Sequence, residues 1–201
     1  MRSLLIASLF VLSFFPSSLL AVQDAAKDDP VQDKTAPPEQ AEKVEREACK
    51  KVTCAFDVRI VLKQKDGSIF DKSYRALPVV QPSGVSVYAG QSVLFEADAQ
   101  GDQLTNFKLV KSVEHPEKTI SATLQQLSNG SMMLTLQNPF KRHIKIAMGA
   151  MPLDLGRLLK TSSCPVRAGL VHFEGWPYPI FQVWLGNIHF LKDSSEATCS
   201  E

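Results

Sequence analysis

The chain has 201 residues, 22 Lys plus Arg against 21 Asp plus Glu, and is 44% hydrophobic, 21% charged and 8% aromatic. These proportions exclude a collagen, a coiled coil and a wholly disordered chain. The near-neutral balance argues against nucleic acid as a partner, which calls for a strong basic excess, and the length suits one buried core.

Residues 1–21 read as a secretory signal peptide. Arg2 supplies the basic start, an apolar run follows to Leu20, and Leu19-Leu20-Ala21 offers a small residue at the cleavage position. Pro16 and the serines weaken the run as a retained anchor, and no later stretch reaches the roughly 18 apolar residues of a second crossing. Removal leaves Val22 at the front of a chain with no permanent membrane span, periplasmic or secreted. Residues 22–48 hold eight acids, four bases and three prolines with no aromatic residue. Such a stretch cannot bury enough apolar area to offset its ordering entropy, so it reads as a disordered acidic linker. With the linker at −4 and the leader at +1, residues 49–201 carry +4.

The four cysteines are Cys49, Cys54, Cys164 and Cys199. An even set in an exported chain reads as two disulfides, and pairing Cys49 with Cys54 and Cys164 with Cys199 keeps each link local. The spacing fits neither a zinc site nor a CxxC oxidoreductase.

From residue 55 the apolar period is two, with Phe56, Val58, Ile60 and Leu62 on one face of a first strand. Lys65-Asp66-Gly67 supplies a hairpin turn into 69–76, after which Pro78 and Pro82 are expected to break the pattern. Strands follow at 85–88, 92–97, 104–113, 119–127 and 132–137, the last two joined by a tight type I′ turn at Asn129-Gly130. Asn129-Gly130-Ser131 also has the form of a glycosylation acceptor, but the turn explains it. Further strands are expected at 143–149, 168–173 and 180–191, with one short helix over 154–161. About nine strands at this spacing predict a single all-β domain over 49–201. The expected architecture is an antiparallel β-sandwich, with an immunoglobulin-like topology as the natural version despite the missing mid-strand cysteine pair.

Chemistry is sparsely signalled. No nucleophile elbow, phosphate loop or H-E-x-x-H is present, and His115, His143, His172 and His189 are scattered, so no catalytic residue is assigned. Copper is the alternative cofactor, because thioether and imidazole ligands suit it and His143, Met148 and Met151 fall close together. Against this, the pleat sends Met148 to the face of Ile144 and Ile146, opposite His143, and aligns Met132 with Leu134 and Leu136 as core. Trp176 and Tyr178, held between prolines, are either anchors for a partner or a plug at one end of the sandwich. Lys141 and Arg142 form a basic turn with partner-binding potential, and His172 and Glu174 are expected to face solvent while Val171 and Phe173 face inward. The resulting expectation is an exported, non-catalytic module of the envelope that binds a protein or envelope component through Trp176, Tyr178, Lys141 and Arg142. A periplasmic copper-binding protein is the alternative.

Overall fold

The computed structural model describes residue 47, residues 49–192 and residues 197–199, all within the unit Ala36–Glu201. The expected signal peptide and all but Glu47 of the expected linker lie outside the described residues. What is described is all-β and antiparallel, eleven strands with no helical element. In chain order they are β1 (Thr53–Lys63), β2 (Ile69–Gln81), β3 (Gly84–Tyr88), β4 (Gln91–Gln100), β5 (Gln103–Val110), β6 (Thr119–Gln126), β7 (Met132–Gln137), β8 (Ile144–Pro152), β9 (Leu159–Thr161), β10 (Val171–Trp176) and β11 (Ile180–Phe190).

One group of strands runs β1-β2-β3-β11-β8-β9 and the other β5-β4-β6-β7-β10. They meet at β11, whose residues 182–186 pair with β3 and whose His189 pairs with Gln103 of β5. The change of neighbour coincides with Asn187 at φ 45° and a register shift between Gly186 and His189. A left-handed residue inside a strand bends it, which lets β11 serve both groups. Gly186 is required there because a Cβ would fall 1.9 Å from the ring of Trp184. Between the groups lies one core, in which Phe95, Ile120, Leu124, Leu134, Leu136, Ile144, Ile146 and Leu185 are fully buried. This arrangement is compatible with the expected sandwich.

Gln126 completes the link at one end. Its amide oxygen accepts from the Lys63 N–H at 2.8 Å, and its Nε2 donates to Lys63 O at 2.9 Å and Gly130 O at 3.0 Å. A side chain thus stands in for a neighbouring strand and satisfies backbone groups at the end of β1.

Both disulfides form as the spacing indicates, Cys49 with Cys54 and Cys164 with Cys199. Two such bonds are the mark of an oxidising, extracytoplasmic environment.

Several local expectations are corrected. The stretch 154–161 is not a helix: Gly156 has φ 60°, which an α-helix does not accommodate, and β9 pairs with β8 instead. Pro78 does not end β2; it pairs with Cys54 beside a register irregularity, where a missing amide proton is tolerated, and its carbonyl accepts the Tyr88 hydroxyl at 2.9 Å. Phe56 does not share the buried face of Val58, Ile60 and Leu62, being 66% exposed, because Asp57 at φ 54° interrupts the alternation. The Asn129-Gly130 hairpin is not of type I′. Only Gly130 has positive φ, Gly130 N–H bonds to Leu127 O at 2.9 Å, and Asn129 Oδ1 accepts from the Ser131 N–H at 3.0 Å. The β1–β2 hairpin repeats this design with Asp66, Gly67 and Ser68, where Ser68 N–H meets Asp66 Oδ1 at 3.0 Å and Gly67 takes φ 87°.

Candidate functional site

Among the described strands β10 is the outermost of its group and pairs with β7 alone. Its burial alternates in the phase opposite to that expected. Val171 and Phe173 are 47% and 60% exposed, whereas His172 and Glu174 turn inward, with side-chain exposures of 21% and 18%. The reason is what lies beneath them. Glu174 Oε1 accepts from His172 Nε2 at 2.8 Å and from the Cys164 N–H at 3.2 Å, so the inner face of β10 meets the segment after β9. That polar seam lets the carboxylate and imidazole be sheltered, and it sends the two apolar side chains outward.

Beyond Val171 and Phe173 the same face is uncharged and mostly polar. The register sets Phe173 beside Thr135 and Thr123, and Val171 beside Gln137, Ser121 and Leu94. An edge strand with two exposed apolar side chains and no lysine lacks the devices by which natural proteins ordinarily blunt such an edge.

Each end of β10 is fixed by one buried side chain. At the N-terminal end Asn138, fully buried, donates Nδ2 to Arg142 O at 2.9 Å, Val166 O at 3.0 Å and Arg167 O at 3.1 Å, and its Oδ1 accepts from the Phe140 N–H at 2.9 Å. The loop after β7 and the loop before β10 are stapled together by that residue. At the C-terminal end Trp176 is 6% exposed within the core and donates Nε1 to Thr161 Oγ1 at 3.3 Å.

The expected partner-binding residues therefore divide. Trp176 is core and presents no exposed anchor; the plug reading describes it. Tyr178 is partly buried against the core, and the Lys65 ammonium lies 5.3 Å from the centre of its ring. Its neighbours Pro177 and Pro179 line a cleft of about 310 Å³ with Asn129 and Gln64, and Pro179 lines a second of about 250 Å³ with Asp66 and Asp154. Arg142 pairs with Asp102 at 2.7 Å and stacks 4.4 Å from the Phe190 ring centre. Its hydrogen bond to Asp102 holds that carboxyl below its ordinary range. Lys141 and Arg167 are exposed on the stapled loops, which makes the N-terminal end of β10 basic.

The copper set is not brought together. His143 Nδ1 accepts from the Ala168 N–H at 2.9 Å, while Met148 is 3% exposed inside the core. A separation of five positions along the strand spans about 16 Å, and the burial pattern of β8 turns Met151 to the face opposite Met148. Among the described residues no three His, Cys, Asp or Glu side chains gather at metal-binding distance.

Sequence reasoning missed Asn138 and the phase of β10. Asn138-Pro139 after a strand was a readable signal, since Asn before Pro favours a side-chain-to-backbone turn. Nothing along the sequence alone foretold which face of β10 would be covered. Comparison of the chain with protein-family models, curated proteins and solved structures finds no match.

Proposed function

We propose that this chain is an exported, non-catalytic binding module of the cell envelope, periplasmic or secreted, that recognises a protein partner by strand addition at β10. The observation that carries the reading is a sheet edge with Val171 and Phe173 exposed and, among the described residues, no second strand beside it. An extended segment of the partner would gain main-chain hydrogen bonds from β10, and alternate apolar side chains would lie along Val171 and Phe173. An acidic residue at one end of that segment would meet Lys141 and Arg167. Tyr178, rigidly held beside Pro177 and Pro179, borders the opposite end.

The test is a photo-reactive residue at position 173, with a second at exposed Lys108 on β5 as control, in the exported protein within its native envelope. The reading expects one adduct species from position 173, absent from position 108 and lost when Val171→Lys is added. Equal adducts from both positions, no adducts, or adducts unaffected by the added lysine would overturn it. Because Val171 is exposed, the lysine leaves folding intact and acts on the edge alone.

A further inference from the structure

A cleft of about 570 Å³ opens beside β5, at the edge of the strand group opposite to β10. Three distant segments build it. The Cys49–Cys54 disulfide closes the short loop that carries Lys50 and Lys51, β2 contributes Gln81 where it passes to β3, and β5 contributes Thr105, Asn106 and Phe107. The β5 stretch is locally reshaped. Glu96 pairs with Lys108 and Asp98 with Thr105, so Ala97 alone stands opposite Asn106 and Phe107, and Asn106 takes φ 53°. A bulge of this kind re-aims the side chains it carries, and here Asn106 and Phe107 both border the cleft.

Among the described residues no carboxylate lines the cleft. Glu47 is engaged by Lys50, and Asp98 by the Asn106 amide at 3.3 Å. Lys51 is exposed and meets no carboxylate among the described residues. The rest of the lining combines neutral hydrogen-bonding residues with apolar Val52, Val80, Pro82 and Phe107, the last braced edge-on against Phe95 at 6.0 Å. The volume lies within the ~300–1,000 Å³ of small-ligand clefts.

The geometry points to an acidic saccharide as the ligand of this cleft, a sugar ring bearing a carboxylate or a phosphate. Lys51 takes the anion, the amides and the threonine hydroxyls take the ring hydroxyls, and Phe107 and Pro82 take the apolar face of the ring. The disulfide holds the lysine loop in place before binding, which reduces the ordering cost. This site is separate from the β10 edge and does not depend on it.

The experiment is an NMR titration of the oxidised chain with tetragalacturonate, glucose 1-phosphate, maltotetraose and inorganic phosphate. Saturable amide shifts at Lys51, Thr105 and Asn106 are expected with at least one of the first two, and which one identifies the acid as uronate or sugar phosphate. Maltotetraose should bind at least about tenfold more weakly, and Lys51→Gln should weaken the acidic sugar by about tenfold without changing the rest of the spectrum. Val171→Lys should leave the titration unchanged, so failure here is distinct from failure at β10. The proposal is overturned if no probe saturates, if maltotetraose binds equally well, if Lys51→Gln has no effect, or if inorganic phosphate alone binds as tightly as the sugars.

Discussion

Trp176 and Phe173 lie three residues apart on β10, yet their surroundings give them opposite roles. Trp176 is 6% exposed and its indole N–H is satisfied inside the protein, whereas Phe173 is 60% exposed with its ring in water. Trp176→Ala should therefore lose about 3–5 kcal/mol through the cavity it leaves, a fall in melting temperature of about 10 °C or more for a chain of this size. Phe173→Ala should stay within about 0.5 kcal/mol. Thermal melts of the two variants, monitored by circular dichroism, check both expectations; a stable Trp176→Ala would show that its ring is not part of the core. Asn138 shows the same contrast between sequence position and structural weight. It sits in what reads as a basic surface turn, but its single amide satisfies three carbonyls and one N–H from two loops.

Among the elements, β4 and the β5–β6 connection carry a pH-sensitive contact. Glu96 on β4 accepts from His115 Nδ1 at 2.7 Å and pairs with Lys118 at 3.0 Å. The His115 hydrogen bond first, and the Lys118 bond after it, hold this carboxyl below its ordinary 4.5. A carboxyl with a depressed folded value contributes stability in full above that ordinary value and loses it as the pH falls through the folded value. Urea midpoints measured from pH 7 down to pH 3 should decline less steeply for Glu96→Gln than for the parent, with the variant less stable at neutral pH. Parallel curves would show that the contact contributes nothing. The elements also show what the sequence could carry. Alternation located most strands because one face of each meets the common core, and Met132 and Met148 were readable as core by the same rule. The face of Phe56 was lost to one left-handed residue, Asp57, and β10 was read in the wrong phase because its cover, the segment around Cys164, comes from a pairing invisible to a period-two pattern. The expected helix over 154–161 fails for a similar reason, since Leu155, Leu158 and Leu159 have helical spacing but Gly156 and the β8 edge favour an extended return.

For the whole molecule, the path of the chain through the second disulfide has a mechanical consequence. Cys164 and Cys199 are 35 residues apart in sequence, so β10 and β11 lie inside a covalent loop. Lys145 reinforces the junction by donating Nζ to Ser163 O at 3.2 Å and Thr198 O at 2.5 Å. Tension applied to the two ends of the chain would pass from Cys199 straight to Cys164 and bypass both strands. Stretching the oxidised molecule should leave about 120 Å hidden in this loop and about 17 Å more in the Cys49–Cys54 loop, released only after reduction. A single-molecule pulling trace with and without reductant measures that difference directly; equal contour lengths would show that the bond is not on the force path. Under load, then, β11 and β10, the strand proposed to accept a partner, lie off the covalent path of the pulling force.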